Sequence, residues 1–495
     1  MSSQGVMSSQ GVVRQSSAFA GRDLKLPPGP PAAKILGWRG NALQFFRNPF
    51  EYLSSLRREY GEVVCLVDQE HPTLFVEPTA GAQSRMVFGF GAEANKEILS
   101  RGEDFGARPP RGPQTRVYKR LSSNLLFRNG AKHQQLRRLT GQPFSGNHLK
   151  NYYSVVVEQT QRLLARWQEG QKIDLWKEMR SLTLGIGSSC FFGLDPYADA
   201  GKLAQSMEEM IQSLFSPVTM IPVDIPGAPY HRLKRRMEWI EERLRLEIAR
   251  KREEGAEGDD ALAMMLRVHD EDGTVLTEDE LISHAFVLFF AGHETSASAL
   301  AMTLFLLAQS PEVATALHEE LAALDGPPDF AGLSRLPVLD RVVKESLRVA
   351  GPAVVFPRYV QEETTLCSYR IPAGSEVLFS AFVTHHDEKI YRDAYRFDPD
   401  RWLEAKPSPY EYVPFGGGGR RCLGMGFGSM IMRTVLALLV PEFRLATVPG
   451  ARIDAKVNVT MRPTQVPMVV HRQDGDHHSS PGVVQGNIHS IVAMD

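Results

Sequence analysis

Hydrophobic positions recur at helical spacing in two long stretches, and shorter apolar runs lie between them. From Met425 to Val440 the apolar residues Phe427, Met430, Ile431, Val435, Leu436 and Leu439 repeat every three or four positions, and Pro441 follows. This predicts a helix that stops at the proline. Leu281 to Ala308 is apolar enough to cross a bilayer, but His284, His293 and Glu294 stand near its centre. Charge is costly there in lipid, so the run predicts a long helix through the core of a soluble protein. Further helices are predicted over Phe50 to Tyr60, Ala92 to Arg101 and Met237 to Glu253. Strands are predicted from Glu62 to Val67 with Pro72 to Val76, and from Tyr369 to Ser380. A closing hairpin spans Phe443 to Leu445 and Val457 to Val470, its tip at Val459-Thr460-Met461. Residues 1–26, in which MSSQGV occurs twice in succession, and the His-, Gly- and Ser-rich residues 473–495 read as loose tails around one domain, 27–472.

Composition narrows the class without deciding it. The 495 residues are 43% hydrophobic and 23% charged, an ordinary globular balance. Lys and Arg (56) nearly equal Asp and Glu (58), which argues against nucleic-acid binding driven by bulk charge. The four cysteines, Cys65, Cys190, Cys367 and Cys422, are far apart. They form neither a zinc pattern nor a disulfide framework, and they suit a reducing compartment. The N-terminus has no apolar stretch of signal or anchor length, so a soluble cytoplasmic protein is expected.

One of those cysteines has unusual neighbours. Four glycines, Gly416 to Gly419, lead through Arg420 and Arg421 to Cys422, just before the helix at Met425. Helix amides and arginines lower a thiol pKa and favour thiolate, although a cysteine in such a turn can equally be an inert core residue. In the other long run, Ala291-Gly292-His293-Glu294-Thr295-Ser296 sets a small pair, an acid and an alcohol in a helix middle. Leu288, Ala291 and Thr295 share a face there. His133 and Arg137 lie one turn apart, able to grip an acidic group or simply to face solvent.

Phe415, Gly418, Arg420, Cys422 and Gly424 fill all five defined positions of Phe-x-x-Gly-x-Arg-x-Cys-x-Gly, which resembles the haem-binding signature of the cytochrome P450 family. The 291–296 run resembles that family's oxygen-activation motif. Lys344-Glu345-Ser346-Leu347-Arg348, with Arg401 in a later segment, resembles its Glu-x-x-Arg lock. The resemblance implies a mainly α fold with small β-sheets (α+β) and one catalytic domain holding haem b. Cys422 would be the iron ligand, and Phe415, Gly418 and Gly424 would also bind the haem. His133, Arg137, Arg358 and Arg420 would hold the haem propionates. Thr295 and Glu294 would deliver protons, and Glu345, Arg348 and Arg401 would form a structural lock. Leu288, Ala291, Ala353, Val354 and Val355 would line the substrate pocket.

The reaction implied is insertion of one oxygen atom from dioxygen into an apolar fatty acid, terpene or polyketide of secondary metabolism. Electrons would come from a separate ferredoxin or flavodoxin with its reductase, and the protein would be a soluble monomer of bacterial type. A peroxygenase or haem isomerase, and a haem gas sensor, are the rival readings. Glu294 and Thr295 count against both.

Overall fold

The computed structural model describes residues 24–77, 83–113, 115–195, 200–214, 219, 223–457 and 460–494. Of the expected loose N-terminal tail, residues 1–23 lie outside these, as does Val459 of the expected hairpin tip. Lys25 is fixed, its carbonyl accepting from Arg370 N at 2.9 Å.

The long apolar run is one continuous helix, Glu278–Ala308. Its start lies earlier than hydrophobicity alone indicates, because Thr277 and Glu280 form a capping box in which each side chain accepts from the other's backbone N–H. From Ser296 to Ala308 every residue is buried, which is how a helix apolar on all sides must sit. The helix is long and apolar enough to cross a membrane, but 67% of its apolar window is covered by protein. Packed around it are Leu175–Phe192, Pro337–Ala350 and Met425–Leu439.

A five-stranded sheet forms the smaller lobe, in the order Val63–Cys65, Met86–Gly89, Glu376–Ser380, Val355–Val360, Phe105–Gly106. The expected strand over 72–76 is absent apart from a bridge between Val76 and Pro110. The cause is Glu376, whose carboxylate accepts from the backbone N–H groups of Leu74, Phe75 and Val76 at 2.7 to 2.8 Å. Those donors are turned inward and cannot serve a ladder. The loop after Arg101 is pinned where Phe105 and Gly106 pair with Val360 and Tyr359.

The closing region is two hairpins rather than one. Phe443–Thr447 pairs with Pro467–Arg472, while Ala455–Val457 pairs with Met461–Pro463. The expected loose C-terminal tail is packed: Val484, Ile488, Ile491 and Val492 are buried in the main core. Polar composition hid these apolar anchors, of which Ile488, Ile491 and Val492 fall at helical spacing.

Candidate active site

Local chemistry sets the shape of the cysteine loop. Gly416 and Gly418 adopt left-handed φ of 65° and 59°. A Cβ on Gly418 would lie 2.1 Å from the Leu99 carbonyl, so only glycine lets this loop press on the helix Gly91–Ser100. Gly418 thus serves the loop's seat on that helix. Cys422 N donates to Phe415 O at 2.9 Å, closing the loop three residues before Met425–Leu439. Cys422 is exposed, although protein surrounds its thiol on most sides. Burial raises the thiol pKa, outweighing the lowering from Gly424 N–H and Arg137. The expected low pKa of the free thiol is therefore not found, because desolvation is the larger effect. A metal ion deprotonates a coordinating thiol outright.

The other cysteines are less suited to ligation. Cys65 and Cys190 are buried thiols pushed up by desolvation. Cys367 sits in a hairpin turn at φ 45°, its thiol pushed up to about 12 by burial and by Glu97 and Glu93.

Around Cys422 the structure gathers a cationic group. His133 lies within the field of Arg420, Arg137 and Arg358, and with burial they push its pKa down to about 4, so it is neutral. Burial and Arg420 lower Arg358 to about 10. Arg420 donates to Arg128 O at 2.7 Å and Asn129 Oδ1 at 2.5 Å, while Arg358 donates to Pro357 O at 2.8 Å. Among the described residues, no ion pair joins His133, Arg137, Arg358 or Arg420 to a carboxylate. Desolvated guanidinium groups without an internal counter-charge fit a ligand that brings its own carboxylates.

The central helix supplies the acid and alcohol. Thr295 Oγ1 donates to Ala291 O at 2.7 Å, and Ser296 Oγ to Gly292 O at 2.9 Å. A Cβ on Gly292 would come within 2.6 Å of the Phe191 ring, so glycine here makes room for a packed aromatic. Leu288 and Thr295 are half-buried and Ala291 is exposed, on a face of this core helix left open. Ala353 and Val355 are also partly open, but Val354 is 1% exposed and belongs to the core. Extended backbone turns alternate side chains to opposite faces, which removes Val354 from the expected lining.

Glu294 has partners that the motif alone did not indicate. Its Oε1 lies 3.4 Å from Arg462 Nε on the strand Met461–Pro463. Burial raises its pKa, while Arg462 and Arg180 pull it down. The same strand is fastened to the central helix by Ser298 Oγ donating to Met461 O at 2.8 Å. The signal was Arg462 itself, next to Met461 at the expected hairpin tip.

Glu345, Arg348 and Arg401 are hydrogen-bonded together, and further groups join them. Arg348 donates to both Glu345 oxygens at 2.9 and 2.8 Å, and Arg401 Nε donates to Oε1 at 2.8 Å. Trp402 Nε1 and Asp398 N also donate to Glu345, each at 3.0 Å. Arg348 reaches the carbonyls of His385, Ala394 and Arg396. His385 and His386 face backbone groups: His385 Nε2 accepts from Val413 N at 2.9 Å, and the His386 ring lies 2.9 Å from Phe382 O and Ile491 O.

The sequence profile described as Cytochrome P450 matches residues 27–468. The chain belongs to the cytochrome P450 family. It is 28% identical to cyclooctatin synthase of Streptomyces melanosporofaciens, over 88% of this chain and 92% of that one. It is 27% identical to pentalenene oxygenase of Streptomyces avermitilis, over 84% and 90% of the two chains. Identity to cytochrome P450 26A1 of Gallus gallus is 30%, over 84% of each. Retinoic-acid-bound cyanobacterial CYP120A1 superposes with a TM-score of 0.78 at 24% identity, covering 91% of this chain and all of that one. This P450 is a haem b monooxygenase that uses dioxygen and needs an electron donor.

Proposed function

We propose that this P450 hydroxylates an apolar terpene-like substrate with electrons from a separate ferredoxin. The observation that carries the substrate class is the open face of the central helix, Leu288 and Ala291 ahead of Thr295, with Ala353 and Val355 also partly open. Two of the relatives above, a cyclooctatin synthase and a pentalenene oxygenase, support a terpene over a fatty acid or polyketide.

Haem, when bound through the Cys422 sulfur, supplies an iron that activates dioxygen, with the thiolate favouring O–O cleavage. The chain's own residues do the rest. Arg137, Arg358 and Arg420 compensate the two carboxylates, with neutral His133 donating a hydrogen bond. Thr295 presents its hydroxyl at the open helix face, and Glu294 exchanges protons with solvent while Arg462 holds its carboxylate. Leu288, Ala291, Ala353 and Val355 exclude water and receive the hydrocarbon. Arg421, exposed beside Cys422, offers the ferredoxin a cationic contact. The protein works as a cytoplasmic monomer.

Product formation from cyclic terpenes should require NADPH, ferredoxin and ferredoxin reductase. Equal turnover with hydrogen peroxide alone would overturn the dependence on a donor. A pocket that gives spectral binding shifts with fatty acids but none with terpenes would overturn the substrate class.

A further inference from the structure

The segment 473–494 lies beyond the family match, which ends at 468, yet it is bound along its whole length. At its start Arg444 pairs with Asp474 through two contacts of 2.6 and 2.7 Å. Its middle runs beside 447–455: Thr447 N donates to Ser480 O, Gly450 N to Val483 O and Ile453 N to Gln485 O, at 2.8 to 2.9 Å. A Cβ on Gly486 would stand 2.2 Å from the Ile453 carbonyl, so this close approach needs glycine.

Asn487 then closes on the strand Ala455–Val457. Its Oδ1 accepts from Ala455 N at 2.6 Å, its Nδ2 donates to Ala455 O at 2.8 Å, and its own N donates to Asp454 Oδ1 at 2.9 Å. That strand pairs with Met461–Pro463, which bears Arg462 against Glu294 and whose Met461 N donates to Pro352 O at 2.7 Å. A few residues on, the segment reaches the other structural device. Ala493 N donates to Tyr395 O at 2.9 Å, between the Ala394 and Arg396 carbonyls that receive Arg348. The His386 ring stands between Phe382 O and Ile491 O, both at 2.9 Å. Burial and Arg348 keep it neutral, so it donates to one of them at a time.

We propose that residues 473–494 are a strap that sets both sides of the haem pocket. Asn487 positions the hairpin bearing Met461 and Arg462, and Ala493 positions the 394–396 segment that closes the Arg348 lock. The strap is a positioning device and touches neither substrate nor cofactor. Its effect on ligands rests on the placement of that hairpin beside the substrate pocket.

The two ends give separable signatures in the haem-loaded protein. Asn487→Ala should weaken the bulky azole clotrimazole, read by spectral titration, about tenfold relative to imidazole, since two side-chain hydrogen bonds are lost. Haem transfer to apomyoglobin should stay at the wild-type rate. Ala493→Pro deletes the N–H that meets Tyr395 O, and should speed haem transfer about tenfold while leaving the clotrimazole-to-imidazole ratio unchanged. If Asn487→Ala does not load haem, Asn487→Asp carries the same comparison, because it keeps the acceptor for Ala455 N and loses the donor. An unchanged azole ratio at position 487 together with unchanged haem transfer at position 493 overturns the strap, and so does the reverse assignment of the two signatures. Wild-type protein that shows no nitrogen-ligand shift with either azole would instead refute the pocket reading.

Discussion

At the scale of single residues, the site is decided by what surrounds each ionisable group. Cys422 and Cys367 are both raised thiols, but Cys367 lies against Glu93 and Glu97 while Cys422 lies against Arg137. Cys422→Ala should abolish the reduced-CO absorption typical of thiolate ligation, and Cys367→Ala should leave it intact. Glu294 is raised by burial and lowered by Arg462 and Arg180, so removing Arg462 must lift it further. In Arg462→Gln the carboxyl keeps its proton to higher pH. The acid limb of coupled turnover should then move to higher pH, read as product formed per NADPH across a pH series. A limb that stays in place would show that the 3.4 Å contact does not set the acid.

Among the elements, the central helix and the lock allow magnitudes to be weighed. Alanine in place of Gly292 gains about 1 kcal/mol of helix propensity. The clash with Phe191, buried among aromatic rings, costs about 1–3 kcal/mol, so Gly292→Ala should lower the melting temperature. Phe191→Leu in the same chain should recover part of that loss. Glu345→Ala leaves Arg348 charged at 0% side-chain exposure, and breaking a buried pair in this way costs about 3–5 kcal/mol. Denaturant unfolding checks it: a loss below about 1 kcal/mol would mean the lock adds little. The helices here were legible because 3.6-residue periodicity is a local signal, as Phe427 to Leu439 shows. What was illegible depended on distant groups. Glu376 cancels a strand some 300 residues away in sequence by taking its amides, and Thr277 moves a helix start that apolar residues put at Leu281.

For the molecule as a whole, the same division explains which site residues could be found. Cys422, Thr295 and the Glu345 lock sit in short patterns whose order along the chain is itself a signal. Arg462, Trp402 and Asn487 act across the fold on partners far away in sequence, and only a neighbour, Met461 or Arg401, hints at the first two. An ion network that joins three helices is of this second kind. Arg120 pairs with Glu241 and, at 2.6 Å, with Asp279, linking the helices Arg116–Leu121, Pro229–Glu253 and Glu278–Ala308. The arginines around Cys422 have a consequence for the life history of the chain. Arg420 disfavours the charge on Arg358, so a dianion that binds the folded chain and not the unfolded one would offset this repulsion and stabilise the fold by mass action. Haem-free chain should therefore be cleaved faster than the loaded protein in limited proteolysis. Pyrophosphate should raise the melting temperature of the haem-free protein and leave that of the loaded protein unchanged, and Arg358→Gln should reduce the gain. In a cell short of iron, the amount of this enzyme would be limited by its degradation before its synthesis responds.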